Sequence, residues 1–198
     1  MTIQEIEEIC TTLNIVNYTI KDGFVDVAGS VNVSNMSLSE IPLNFGEVKG
    51  DFVCDRNKLT SLKGSPTKVD GDFNCENNEL ISLEGSAHLI GGCFSCGNNN
   101  LTSLEHGPKK VGGDYHCSHN DLIVLEGFKM KFDGEFYCKG NPIDVIVSKV
   151  GYEGFEKIER LFRIFRGDEV DRRKLIWWAD INDIPLNLER IESRYRLI

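Results

Sequence analysis

A repeat of 21 residues, uninterrupted by insertions or deletions, is the feature that most limits what this chain can fold into. Aromatic residues, cysteines and asparagines each recur five times at this step. The three series are Phe52, Phe73, Phe94, Tyr115 and Phe136; Cys54, Cys75, Cys96, Cys117 and Cys138; and Asn57, Asn78, Asn99, Asn120 and Asn141. A fixed period of this length predicts a solenoid, in which each repeat forms one coil and packs on its neighbours.

Leucine and glycine extend the pattern in the same register. The further series are Leu59, Leu80, Leu101, Leu122 and Ile143; Leu62, Leu83, Leu104, Leu125 and Ile146; and Gly50, Gly71, Gly92, Gly113 and Gly134. An earlier copy keeps the register through Gly29, Val31 and Val33, but Met36 replaces the asparagine. We interpret it as a capping copy, because the terminal repeats of solenoids are usually atypical.

Each unit is predicted to contain one short strand. The Phe-x-Cys segment alternates and is rich in strand formers, so its aromatic ring and thiol should face inward and its middle residue outward. The return to the next strand carries residues such as Gly64, Pro66 and Gly85, which disfavour a helix and favour tight turns or a brief 3₁₀ segment. A coil is therefore a strand, an asparagine corner, a leucine-bearing return and a glycine corner.

Stacked coils place equivalent residues about 4.8 Å apart, which produces columns of like side chains. A cysteine column suits a narrow core, because the thiol is small and behaves as a hydrophobe when buried. An asparagine column suits a corner, because the carboxamide can bond buried backbone groups and asparagine tolerates unusual turn dihedrals.

These residues resemble the leucine-rich repeat family, whose core pattern is L-x-x-L-x-L-x-x-N/C-x-L. Phe73, Cys75, Asn78 and Leu80 fit this pattern, whereas Val69 lies one residue too early for the first leucine. The consensus G-D-F-x-C-x-x-N-x-L-T-S-L-x-G-x-P is similar to short leucine-rich repeats of tailed bacteriophage proteins, in which a small helical tail follows the array. The resemblance covers residues 29 to 146 and implies a fold and a style of binding.

The predicted fold class is α+β, a leucine-rich-repeat-like solenoid of parallel stacked short strands. Residues 1–28 are expected to form an N-terminal cap, with a helix after the Thr2 and Glu5 capping box and a hairpin around Asp22-Gly23. Residues 29–146 form the solenoid, with one degenerate, four full and one partial unit. Residues 147–198 are expected to form a helical cap or tail.

The predicted tail has two interpretations. Apolar residues return at helical spacing in its first part, at Phe155, Ile158, Leu161, Phe162 and Phe165. A helix there would cover the last coil, which every solenoid requires. Alternatively the tail binds a partner or a second copy through Trp177 and Trp178, because tryptophan is enriched in interfaces.

The formal charge of −9 limits the classes of partner. Residues 142 to 198 hold eleven acidic and eleven basic side chains, so the array carries the whole negative excess. An acidic surface repels phosphates and attracts basic proteins, so a basic protein partner is expected and nucleic acid is not.

No stretch reaches the roughly 20 apolar residues of a membrane helix. The polar, acidic start resembles no signal peptide, which predicts reduced thiols and a cytoplasmic protein.

The candidate metal motif conflicts with the inward and outward directions that the repeat predicts for its side chains. Cys93-x-x-Cys96 precedes His116-x-x-His119 at a spacing like that of a zinc site. Cys96 should point inward and Cys93 outward, so the four ligands cannot easily converge. Carboxylates at 51, 72, 114 and 135 form a ladder that could hold calcium, but Cys93 interrupts it and a solvated acidic face is the default explanation. We predict no enzyme activity, no cofactor and no metal.

The outward side chains of the strands are the predicted protein-binding face. They are Asp51, Val53, Asp55, Asp72, Asn74, Glu76, Ser95, Asp114, His116, Glu135, Tyr137 and Lys139. Two functions compete: a noncatalytic phage accessory protein that binds, and thereby inhibits, a host protein in the cytoplasm of an infected bacterium, or a self-associating scaffold of a virus-encoded assembly. The face could also be simply solvated.

Overall fold

The repeats form a β-solenoid of about five turns with parallel stacked strands. The computed structural model describes residues 1–122, 131–144, 147, 165–166, 169–171, 173–176, 191–192 and 196–197. Strands from successive coils pair in register, as Phe52 pairs with Phe73 and Phe73 with Phe94. The 21-residue step of the sequence is therefore the step from one coil to the next.

Two sheets run along the solenoid. Sheet A contains, in spatial order, β1 (Tyr18–Lys21), β2 (Phe24–Val27), β4 (Phe45–Val48), β6 (Lys68–Val69), β8 (Leu89–Ile90), β10 (Lys110–Val111) and β12 (Lys131–Phe132). Sheet B contains β3 (Val31–Asn32), β5 (Phe52–Val53), β7 (Phe73–Asn74), β9 (Phe94–Ser95), β11 (Tyr115–His116) and β13 (Phe136–Tyr137). Apart from the antiparallel pair of β1 and β2, all pairs in both sheets are parallel.

Sheet B is the predicted strand column, whereas sheet A was not predicted from the repeats. Val69 and Ile90, which fall one residue too early for the leucine-rich repeat pattern, are the inward residues of β6 and β8. Only two residues per coil pair in sheet A, which is too short for an alternating pattern to be visible. The glycine corner thus separates two strands of one coil.

The core is one hydrophobic cluster along the axis of the solenoid. Its aromatic column is continuous, with ring centroids of Phe52 and Phe73 5.2 Å apart and those of Phe73 and Phe94 5.6 Å apart. Phe94 and Tyr115 continue it at 5.1 Å. Such edge and tilted contacts add to the stabilisation from burial itself.

The cysteine column lies in this core as free thiols. Cys54, Cys75, Cys96 and Cys117 are completely buried, and all seven cysteines of the chain are unpaired. Burial is the main cause that raises the pKa of Cys75 well above its ordinary value near 9, and it raises the pKa of Cys138 to about 12. The column behaves as a stack of small hydrophobic groups.

The N-terminal segment packs against the first coil. Helix α1 (Ile3–Thr12) begins at a capping box in which the Thr2 hydroxyl accepts a bond from the Glu5 backbone N–H and the Glu5 carboxylate accepts one from the Thr2 N–H. Ile6 and Cys10 are buried in the same core as the repeats. The β1-β2 hairpin extends sheet A, because β2 pairs in parallel with β4.

The described part of the C-terminal segment includes a three-stranded sheet of β14 (Phe165–Arg166), β15 (Glu169–Val170) and β16 (Arg196–Leu197). The prediction that Phe165 continues a helix is therefore wrong. It lies in a strand and pairs with Val170. Positions 155, 158, 161 and 162 of that helix, and Trp177 and Trp178, lie outside the described residues.

The asparagine column bonds each coil to the one before it. Asn99 accepts a bond from the Leu80 N–H at 3.0 Å. Its amide nitrogen donates to the carbonyl oxygens of Cys75, Cys96 and Gly97 at 3.1, 3.1 and 3.2 Å. The same pattern holds from Asn57, which accepts the Met36 N–H of the degenerate copy. These bonds confirm the prediction that the asparagine column binds buried backbone groups.

The predicted role of asparagine in the turn dihedrals was wrong by one position. The residues with positive φ at this corner are those immediately before the column, namely Asn35, Arg56, Asn77, Asn98, His119 and Gly140. Asparagine and glycine adopt this left-handed region more easily than arginine does. The column asparagines themselves contribute hydrogen bonds, not an unusual backbone conformation.

Replacing Asn99 by alanine should lower the free energy of unfolding by roughly 3 kcal/mol, because the buried Leu80 N–H loses its acceptor and three carbonyl oxygens each lose one of their two donors. Urea unfolding measures this loss. Asn100→Ala is the matched control, since Asn100 is exposed and its side chain makes no described hydrogen bond. Equal effects of the two substitutions would contradict the role of the ladder.

The buried thiols predict a loss of stability in alkali. An unfolded thiol ionises near pH 8.5, whereas the pKa of Cys75 in the folded chain lies well above 9. Between these two pKa values the folded state holds more protons than the unfolded state. The contribution of the thiol to the free energy of unfolding is therefore fully present below pH 8.5 and is lost as the pH rises. The slope is up to about 1.4 kcal/mol per pH unit for each thiol. Urea unfolding of Cys75→Ala between pH 8.5 and 10 should show a shallower decline than that of the unchanged chain, and an identical slope would contradict the cause.

Candidate binding face

The outward side chains of sheet B form the candidate binding face. Its central column comprises Asn32, Val53, Asn74, Ser95, His116 and Tyr137, one from each of the six strands. Each is partly or fully exposed, whereas the hydrophobic residue before it in the chain is buried or half-buried. The predicted alternation is confirmed, and between Val53 and Tyr137 the column presents the polar side chains of Asn74, Ser95 and His116.

The carboxylate ladder at the edge of this face has a structural role that the sequence did not reveal. Asp51 Oδ1 accepts the Asp72 N–H at 2.9 Å, and Asp72 Oδ1 accepts the Cys93 N–H at 2.7 Å. Asp114 Oδ1 likewise accepts the Glu135 N–H at 2.8 Å. Each carboxylate therefore caps the backbone of the next coil at the corner between the two sheets.

Cys93 does not interrupt this ladder. Its thiol sulfur accepts the Asp114 N–H at 3.4 Å, which is the bond that a carboxylate makes at the equivalent positions. At the other end Ser30 Oγ accepts the Asp51 N–H at 3.0 Å. The position requires a hydrogen-bond acceptor, not a charge, which explains why serine and cysteine occur there.

The repeated glycine before each ladder residue follows from the same geometry. A Cβ atom at Gly71 would collide with the carboxylate of Asp51, and one at Gly92 would collide with that of Asp72. The carboxylate of one coil thus lies directly over the glycine of the next coil. The capping hydrogen bond therefore requires glycine at this position of the next coil.

The third row of predicted face residues is less exposed than expected. Asp55 is buried, with 7% of its surface exposed, and its carboxylate lies 3.5 Å from Arg56 Nη1. Glu76 is half-buried, and its backbone N–H donates to Asn74 Oδ1 at 3.0 Å. Lys139 is exposed. Asp55 is thus a poor contact residue, because its carboxylate is turned into the corner of the coil.

The C-terminal end of the face carries an aromatic platform. The rings of His116 and Tyr137 stack with centroids 4.5 Å apart and an interplanar angle of 5°. His116 Nε2 lies 3.8 Å from Asp114 Oδ2. Tyr137 is 44% exposed, so the platform presents one ring to solvent and one polar edge. This arrangement depends on the in-register pairing of β11 with β13.

The zinc-like motif does not converge on one site. Cys96 is buried in the core, Cys93 faces the corner between the sheets, and His119 is exposed. Over residues 1–122, 131–144 and the short described segments beyond, no cluster of three or more His, Cys, Asp or Glu side chains could hold a metal ion. These groups remain apart because their positions in the repeat face different directions.

Sheet A presents a different surface. Near its N-terminal end Lys68 Nζ lies 2.8 Å from Asp70 Oδ1, and Lys49 Nζ lies 2.8 Å from Glu47 Oε2. Hydrogen bonds from these lysines lower the pKa values of both carboxyl groups. The four charges form one neutral network, so this part of the acidic array attracts basic partners less than the sequence suggested.

None of the protein-family models, curated proteins or solved structures compared with this chain matches it. Across the parts of the chain that the structure describes, no helix combines the length and apolarity needed to cross a membrane. The fold and the face geometry are thus what bears on function.

Asp72→Ala should destabilise the protein by about 1 kcal/mol, because the Cys93 N–H loses its acceptor at a partly hydrated corner. Asp72→Asn should cost much less, because its amide oxygen can accept the same bond without a charge. Thermal unfolding measures both. Calcium at millimolar concentration should leave the Tm of the unchanged chain in place. An asparagine variant as unstable as the alanine variant, or a calcium-dependent rise in Tm, would show that the charge is what matters.

Proposed function

We propose that this chain is a noncatalytic protein-binding module that engages its partner through the sheet B face. The stacked His116 and Tyr137 pair is the observation that carries the proposal. An aromatic ring held flat by a neighbouring ring loses little side-chain entropy on binding, and tyrosine is among the residue types that dominate interface energies.

Rigidity of the face supports the same function. The inner strands of sheet B are each hydrogen-bonded to a strand on both sides. The inward side of the sheet packs on the aromatic and cysteine columns. Six strands at about 4.8 Å span roughly 24 Å, the scale of a single protein epitope. Small side chains at Asn74 and Ser95 let a partner approach the sheet closely.

The repeat pattern supports a relationship to the short leucine-rich repeats of tailed bacteriophage proteins. We infer that the partner is a basic host protein in the bacterial cytoplasm and that occupation of its surface inhibits it. The acidic residues that remain exposed along the edge of the face, such as Asp51, Asp72 and Glu135, supply the complementary charge. Asp51 and Asp72 can do so with one oxygen while the other caps the next coil.

Tyr137→Ala should weaken capture of the partner by about 30-fold, the effect of removing an interface hot spot of about 2 kcal/mol. The measurement is affinity capture from bacterial lysate, followed by titration with the purified partner. Leu89→Ala is the matched control, because Leu89 is 45% exposed on sheet A and Tyr137 is 44% exposed on sheet B. Loss of binding with Leu89→Ala but not with Tyr137→Ala would move the interface to the other sheet.

Self-association is the second candidate, and the edge of sheet B favours it. Within residues 1–122 and 131–144, β3 ends this sheet with no strand beside it on the N-terminal side, whereas the β1-β2 hairpin covers the corresponding edge of sheet A. An open strand edge can pair with another chain. Light scattering that shows a concentration-dependent oligomer, with no captured host protein, would favour the scaffold.

A further inference from the structure

A groove on the return loops of the solenoid is separate from the sheet B face. It has a volume of about 760 Å³ and spans three successive coils. Its described lining comes from the segment between the second leucine of each repeat and the following strand of sheet A, around Ser65, Ser86 and Gly107. This volume is within the usual range for small-molecule sites.

Backbone geometry forms the floor of the groove. Gly64 and Gly85 have φ angles of +93° and +90°, and a Cβ atom at either position would collide with a carbonyl group of the preceding coil. The absence of side chains at these two positions lets the coils pack closely while leaving space above them. The groove is thus a regular product of the repeat.

Two hydroxyl groups beneath the surface of the groove have no partner. Within residues 1–122, the buried Oγ atoms of Ser65 and Ser86 make no hydrogen bond, and these residues are only 7% and 5% exposed. An unsatisfied buried hydroxyl costs about 1 to 3 kcal/mol. Neither oxygen is accessible to solvent in its present rotamer, so each can donate to a ligand in the groove only after rotation about χ1, and no existing hydrogen bond opposes that rotation.

The side chains around the groove favour an anionic hydrogen-bond acceptor. Lys63, His88, His106 and Lys109 line it, and none forms an ion pair with another described residue. Glu84 is the one carboxylate among the described lining residues. Lysine ammonium and serine hydroxyl groups both donate to anionic oxygens, and a phosphoryl group can accept from several donors at once.

We propose that this groove binds the phosphoryl group of a small-molecule ligand, with Lys63 and Lys109 neutralising its charge and Ser65 and Ser86 rotating about χ1 to donate hydrogen bonds. A long polyanion such as nucleic acid fits less well, because the array carries a large acidic excess outside the groove. The site is independent of the proposed protein-binding face.

Titration with inorganic phosphate at constant ionic strength, followed by amide NMR shifts, tests the proposal. The amides of Ser65, Ser86 and His88 should shift saturably, with a Kd near 1 mM, as expected for a single small anion. Lys109→Ala should weaken binding about fivefold. Lys110→Ala removes the same charge one residue away, outside the groove, and should change the Kd by less than about twofold.

The double variant Ser65→Ala and Ser86→Ala separates binding from folding. It should be at least as stable as the unchanged chain, because it removes two unsatisfied hydroxyls, yet bind phosphate about threefold more weakly. Equal losses in the two lysine variants, or no saturable shift up to about 20 mM phosphate, would overturn the site. Malonate binding as tightly as phosphate would overturn the choice of a phosphoryl group.

Discussion

The hydrogen bonds of the asparagine column are the constraint on which the rest of the structure depends. Each carboxamide bonds one N–H and one C=O of the preceding coil as well as carbonyl groups of its own coil. A coil one residue longer or shorter would misplace every one of these bonds. The uniform 21-residue period is therefore a condition for stacking, and the aromatic and cysteine columns follow from it.

A second ladder at the opposite corner completes this arrangement and changes the meaning of the acidic residues. Asp51 and Asp72 each cap the next coil, so the repeated aspartates are part of the fold before they are part of any interface. Charge reversal at these positions would disturb stacking as well as association. Tyr137 and His116 are better probes of the proposed interface, because neither ring forms a hydrogen bond with the backbone of a described residue.

The two sheets and the return loops give one solenoid three different surfaces. Sheet B ends in the aromatic platform, sheet A begins with a neutral charge network, and the returns form a groove lined by lysines above two buried hydroxyls without a described partner. Because each position in the repeat always lies on the same surface, a substitution in one copy changes one surface locally. A solenoid can thus hold a protein-binding face and a small-molecule site without conflict.

The sequence by itself determined the coil length, the inward aromatic and cysteine columns and the asparagine ladder, because these depend on periodicity and on residue chemistry that repeats five times. It also placed Tyr137 and His116 on one outward face. Only the tertiary structure decided that Val69 and its equivalents form a second sheet, that Cys93 and the aspartates cap neighbouring coils, and that Asp55 is buried. The second sheet and the capping bonds depend on contacts between residues 21 positions apart, which leave no mark on the local pattern of a single coil.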